Sequence, residues 1–143
     1  MKRVTKSADE TRAFAAEVAR TCEPGTILLL IGDFGSGKTT FVQGLAEGLN
    51  VPDLRVVCSP TFVMMNVYNG GRLPLFHLDA TRFENPREVF ELGWEADAEK
   101  GVTAIEWGDK IEGVMPGLVT AVRFQVVSSD QRSISFDHPH RRS

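Results

Sequence analysis

Gly32-Asp33-Phe34-Gly35-Ser36-Gly37-Lys38-Thr39 fits the pattern G-x-x-x-x-G-K-[ST] at every fixed position. The chemistry of such a loop follows from its residue types. Glycines let the backbone bend so that successive N–H groups point at one anion, and the helix that starts where the loop ends adds partial positive charge there. Lys38 can reach the β- and γ-phosphates of a nucleotide, the Thr39 hydroxyl can ligate Mg²⁺, and Thr40 is placed for the α-phosphate. The flanks agree. Thr26 to Ile31 is a short aliphatic run bounded by turn signals, the pattern of a strand buried on both faces. Lys38 to Leu49 has helical periodicity, with Phe41, Val42, Leu45 and Leu49 on one face.

Further out, Ser7 and Glu10 have the spacing of a capping box. Thr11, Phe14, Ala15, Val18 and Cys22 then repeat on one face of a helix that Pro24 and Gly25 end. Arg55 to Cys58 reads as a short strand leading into Ser59-Pro60-Thr61-Phe62. Phe62 to Tyr68 and Leu73 to Leu78 flank Asn69-Gly70-Gly71-Arg72, a hairpin signal. Asn85-Pro86 opens a helical stretch that runs to about Lys100 with a break at Gly93. Val102 to Ile105 is another buried strand, and Leu118 to Val127 with Arg132 to Phe136 form a closing hairpin around Ser129-Asp130. Asp137 to Ser143 reads as a flexible, solvated tail. This order predicts one α/β domain over residues 1–143, a P-loop NTPase-like sandwich with a mixed, partly antiparallel central sheet.

A phosphate loop needs an acidic partner at the end of a neighbouring strand, in the crevice where ligands bind in open α/β sheets. Asp79 ends the run Leu73 to Leu78, and Glu106 ends Val102 to Ile105. Either could hold Mg²⁺, directly or through water, or orient the attacking water. Thr61 follows a proline in a loop and is a candidate sensor of the γ-phosphate. Trp107 could stack on a base or pack in the core. His77 alternates with Phe76 and Leu78 and so is read as pointing away from the core, either as a general base or in a structural hydrogen bond. Arg82 and Arg132 are candidates for phosphate or base contacts. The guanine-reading pattern N-K-x-D is absent, which favours ATP over GTP. No arginine-rich lid stretch is present, which weakens a small-molecule kinase reading.

The composition sets outer limits. With 143 residues, 42% hydrophobic and 24% charged, the chain has the profile of a soluble globular domain, not of a disordered or fibrous one. Its longest aliphatic run, Ile27 to Ile31, is far short of the roughly 20 residues of a membrane helix. Lys2 and Arg3 are not followed by an apolar stretch, which argues against a signal peptide. Sixteen basic and 19 acidic residues leave a net charge of −3, unlike a strongly basic nucleic-acid binder, so no DNA partner is expected. Cys22 and Cys58 lack metal-ligand spacing and read as buried free thiols in a reducing cytoplasm.

Several motifs together resemble one family. The loop Gly32 to Thr39 with Thr40-Phe41, then Ser59-Pro60-Thr61-Phe62, His77-Leu78-Asp79 with Arg82, Glu91-Leu92-Gly93 and Ile105-Glu106-Trp107 look like TsaE (also called YjeE), the bacterial ATPase of tRNA threonylcarbamoyladenosine synthesis. Order and spacing agree from about Ser7 to Phe136. The resemblance implies that Lys38 and the loop (Asp33, Phe34, Gly35, Ser36, Gly37, Thr39 and Thr40) hold ATP. It also implies that Thr39 and Glu106 hold Mg²⁺, that Asp79 supports hydrolysis near the metal, that Thr61 sits in a switch-like loop, and that Arg132 touches nucleotide. The implied partners are TsaD and TsaB, which modify tRNAs that read codons starting with A, so tRNA is met through that complex. Two departures stand out. Ala80-Thr81-Arg82 replaces the family's Leu-Tyr-Arg, and Phe34 replaces a leucine. A non-hydrolysing module that uses ATP as a conformational ligand, and a small-molecule kinase, are the alternatives.

Overall fold

Ile27-Leu28-Leu29-Leu30-Ile31 forms the strand β2 (Ile27–Ile31), which pairs in parallel with a neighbour on each side. A strand covered on both edges and both faces has no solvent side, which is why it is aliphatic throughout and not alternating. In the computed structural model, residues 2–33, 35–54, 57, 65–111, 113, 115, 117–137 and 140–142 are described.

Around β2 the elements run in chain order β1 (Lys2–Thr5), α1 (Ala8–Thr21), β2, α2 (Lys38–Gly48), β3 (Met65–Tyr68), β4 (Leu75–Asp79), α3 (Glu95–Ala98), β5 (Val102–Glu106), β6 (Gly117–Val126), β7 (Arg132–Phe136) and β8 (His140–Arg142). A 3₁₀ helix, Pro86–Leu92, precedes α3, and a 3₁₀ turn, Gly108–Lys110, follows β5. The strand order is β1-β7-β6-β2-β5-β4-β3, with β8 paired to β6. The inner strands β6, β2, β5 and β4 are mutually parallel, while β7 and β3 run antiparallel to their inner neighbours. The α/β sandwich with a mixed, partly antiparallel sheet is therefore the fold. The C-terminal ends of β2, β4 and β5 lie at one edge of the sheet, where Ile31, Asp79 and Glu106 end their strands.

Two apolar layers hold the sheet. On one face α1 and α2 cover Leu28, Leu30, Ala104, Val122 and Ile134 through Phe14, Phe41, Leu45 and Leu49. On the other, the stretch from the Pro86–Leu92 helix to the Gly108–Lys110 turn covers Leu29, Leu78 and Ile105 through Val89, Trp94 and Ile111. Ser7 caps the first helix, but the capping box that its spacing predicts closes on the preceding residue and not on Ser7. The Ser7 hydroxyl accepts the Glu10 amide at 3.0 Å, and the Glu10 carboxylate accepts the Lys6 amide at 3.0 Å. At its far end the Arg72 guanidinium donates to the Ala19 and Cys22 carbonyls, at 2.7 and 3.1 Å. Cys22 is a buried free thiol, and burial pushes its pKa up.

Three local readings change. Residues 86–92 form a 3₁₀ helix, which Asn85 caps with a full capping box and Gly93 ends in the left-handed conformation at φ 75°. Lys2–Thr5 is a strand paired to β7, which the sequence reading leaves unassigned. The tail expected to be flexible instead contributes β8, paired antiparallel to Gly117–Val119. Apart from buried Val57, the strand expected at Arg55 to Cys58 and the segment Ser59 to Phe62 lie outside the described residues. Among the described residues no helix is long and apolar enough to cross a membrane.

Candidate functional site

Between β2 and α2 the chain turns through Gly35 at φ 73° and Gly37 at φ 101°, left-handed values that favour glycine. Gly32 is required for a different reason. A Cβ there would lie 2.7 Å from the Ser36 hydroxyl and 2.9 Å from the Phe124 carbonyl oxygen. Gly37 caps α2 without a side chain, and the first turn of α2 holds no acidic residue. The first-turn amides therefore keep their N–H groups for an anion at the helix end. The Ser36 hydroxyl is buried in the loop with no hydrogen-bond partner among the described residues, the condition of a donor awaiting a ligand oxygen.

Lys38 opens α2 and is 5% exposed. Its ammonium donates to the Asp33 carbonyl at 3.0 Å and to the Gly32 carbonyl, and lies 4.0 Å from the centre of the Trp107 ring. Burial lowers its pKa, while Glu106, Asp33, Asp79 and Asp109 act in the opposite direction. Trp107 itself has φ 61°, a rare value for an aromatic residue. The structure thus assigns Trp107 to the loop lysine.

Thr39 faces the end of β5. Its hydroxyl lies 3.1 Å from each Glu106 carboxylate oxygen and donates to that carboxylate. Glu106 is 4% exposed and also meets His77 Nε2 at 2.5 Å. Asp79, paired in register with Glu106, accepts the Thr81 amide at 2.8 Å and the Thr81 hydroxyl. His77 does not point away from the core. It has no exposed surface, because β4 is covered on both faces and has no outward side.

Lys38, Thr39, Asp79, Glu106 and Trp107 line a cleft of about 610 Å³, and His77 lies outside its lining. Its floor is the loop and the start of α2, with Asp79, Glu106 and Trp107 on one side. Two further walls escape the sequence reading. Ser7, Ala8 and Thr11 bring the beginning of α1, and Ser129 and Asp130 bring the turn between β6 and β7. The Ser7 cap was the available signal for the first, since it fixes where that helix begins. Arg132 joins the last turn to the loop. It donates to the Gly35 carbonyl at 2.9 Å and to the Ser128 and Gln131 carbonyls at 3.0 and 3.1 Å. Of the predicted residues, the structure brings together Asp33, Gly35, Ser36, Gly37, Lys38, Thr39, Thr40, Asp79, Glu106 and Arg132. Arg82 is exposed and outside the cleft lining. Phe34 and Thr61 lie outside the described residues.

The donor set suits one metal class. A hydroxyl and two carboxylates are hard oxygen ligands, as Mg²⁺ prefers, and Mg²⁺ is commonly held by one or two carboxylates plus substrate phosphates. Among the described residues no three acidic, His or Cys side chains form a metal cage, so the remaining ligands would come from phosphate and water. Four carboxylates around Lys38 also make the cleft acidic, and a polyphosphate enters such a field with a neutralising cation.

The family model "Threonylcarbamoyl adenosine biosynthesis protein TsaE" matches residues 5–134. The tRNA threonylcarbamoyladenosine biosynthesis protein TsaE of Bacillus subtilis (strain 168) is 40% identical over 132 residues, covering 92% of this chain and 82% of that one. The protein of the same name from Treponema pallidum (strain Nichols) is 35% identical over 136 residues, 94% and 98% of the two chains. The crystal structure of Bacillus subtilis YdiB superposes with a TM-score of 0.80 at 34% identity, over 98% of this chain and 86% of that one.

Proposed function

The chain belongs to the TsaE family, and on that premise we propose that it binds and hydrolyses Mg-ATP as the ATPase subunit of tRNA threonylcarbamoyladenosine synthesis, acting in the cytoplasm on TsaD and TsaB and meeting tRNA through them. The family places the chain in threonylcarbamoyladenosine biosynthesis. The observation that carries the finer reading is the meeting of Thr39 with both oxygens of Glu106 at 3.1 Å, inside the cleft floored by the glycine loop.

Each side chain then has a task. The loop amides and Lys38 bind the β- and γ-phosphates, for which Lys38 leaves the Gly32 and Asp33 carbonyls. Thr39 and Glu106 would hold Mg²⁺, which would supply neutralisation of the phosphate charge. Asp79, one strand from Glu106, orients the attacking water. Arg132 fixes the wall facing the loop. Its guanidinium is engaged with backbone carbonyls, and among the described residues Lys38 is the other cation on the cleft lining, so these residues give little cationic support to charge that develops on the transferring phosphoryl group. That supports slow turnover in isolation and faster turnover with partners.

Phosphate release from Mg-ATP by the purified chain, alone and with TsaD and TsaB, is the test, with Lys38→Ala as control. The expected result is a low basal rate that rises with the partners and disappears in the control. ATP binding with no turnover in any mixture would replace this reading with a non-hydrolysing module. Transfer to a small-molecule acceptor would replace it with a kinase.

A further inference from the structure

Glu106 is held from two sides. Toward the cleft stands the Thr39 hydroxyl. Behind it, His77 Nε2 lies 2.5 Å from Oε2, and His77 Nδ1 lies 3.1 Å from the Tyr68 hydroxyl. The Asn66 side-chain amide donates to that hydroxyl at 3.3 Å. His77 is fully buried and Tyr68 is 4% exposed. Donor chemistry orders the chain. A carboxylate only accepts, so Nε2 carries the proton. With the ring proton placed on Nε2, Nδ1 is an acceptor and the Tyr68 hydroxyl donates to it. The Tyr68 oxygen is left to accept from Asn66. These three bonds run the same way, from the edge strand β3 through β4 to the carboxylate at the end of β5.

We propose that His77 and Tyr68 are positioning residues for Glu106. They fix its carboxylate through Oε2 and so hold both oxygens at the Thr39 hydroxyl, where the divalent cation would be held. This rests on the reading of Glu106 as a metal ligand. Partners behind a metal ligand set its orientation, and their loss typically costs about 10–100-fold in metal affinity. His77 does not touch phosphate or metal, so its removal spares nucleotide binding in the absence of metal.

The test uses the full chain with a non-hydrolysable ATP analogue, titrated by calorimetry with Mg²⁺ and again in chelator. In His77→Leu the gain in affinity that Mg²⁺ confers should fall by about tenfold or more. In Tyr68→Phe it should fall less, and His77→Gln, whose amide nitrogen replaces the Nε2 donor, should recover part of it. Affinity in chelator should match wild type in all three. Tyr68→Phe removes one oxygen and keeps the ring, so it carries the test if His77→Leu does not fold. Nitrogen NMR of the wild type should show His77 protonated at Nε2, and a proton on Nδ1 instead overturns the proposal. Glu106→Ala separates the two layers. If it keeps the Mg²⁺ gain, the metal reading itself fails. If it loses the gain while Tyr68→Phe and the folded His77 variants keep it, the positioning role alone is overturned.

Discussion

Lys38 shows how a single residue carries a cost in the ligand-free fold. Its ammonium is buried at the start of α2, and burial outweighs the attraction of four nearby carboxylates, so its pKa lies below 10.5. The native chain therefore gives up this proton at a lower pH than the unfolded chain does. Between the two pKa values the unfolded state binds more protons, and stability from this group rises with pH. The prediction is a difference measurement. The unfolding free energy of wild type minus that of Lys38→Met should increase with pH through this window and level off above 10.5. Denaturant melts at several pH values check it, and a difference that falls with pH would show that the carboxylates outweigh burial. Bound phosphates offset the penalty, which is one reason a loop lysine is tolerated where it is mostly buried.

Among the elements, α1 and α2 lie unusually close, and small residues are the cause. A Cβ on Gly44 would sit 2.6 Å from the Ala15 Cβ and meet the Arg12 backbone, and one on Gly48 would sit 2.7 Å from the Ala19 Cβ. Gly44→Ala therefore sets two effects against each other. Helix propensity gains about 1 kcal/mol, while overpacking costs about 1–3 kcal/mol. Because the clash is partly with backbone, which cannot rotate away, the cost wins. A net loss of about 1–2 kcal/mol is expected, seen as a Tm lower by about 3 °C or more. The apolar faces of both helices are legible in the sequence through the 3.6-residue period, and so are β2 as an unbroken aliphatic run and β5 as a short buried one. The glycine seam was not, because a missing side chain leaves no periodic signal. Lys2–Thr5 was missed because only Thr5 in it is buried, so there is no alternation to read. His77 was placed on the wrong side for the opposite reason. Alternation implies an outward face, and β4 has none. Glu106, Thr39 and Lys38 were legible because their roles need particular chemical groups at fixed spacing. The walls from α1 and the last turn come from distant sequence and carry no such pattern.

At the scale of the whole molecule, the cleft is closed by segments that lie far apart along the chain. Ser7 to Thr11 near the beginning, the loop at 33–40, and Ser129 to Arg132 near the end all line it. Arg132 links two of them with a long side chain, spanning from the last turn to the Gly35 carbonyl. In the ligand-free chain this link is exposed and worth little, since exposed polar contacts contribute at most about 1 kcal/mol. Arg132→Ala should therefore melt near the wild-type temperature. With nucleotide the expectation differs, because a ligand seated in the cleft draws on all three segments at once. A ligand at 100 times its Kd stabilises by about 2.7 kcal/mol, and a tenfold weaker Kd at the same concentration leaves about 1.4 kcal/mol. Thermal shifts with saturating Mg-ATP should thus be roughly halved in Arg132→Ala, while the unliganded Tm barely moves. Equal shifts in variant and wild type would mean that the last turn merely borders the site. A large loss without nucleotide would mean that Arg132 holds the fold together and not the cleft.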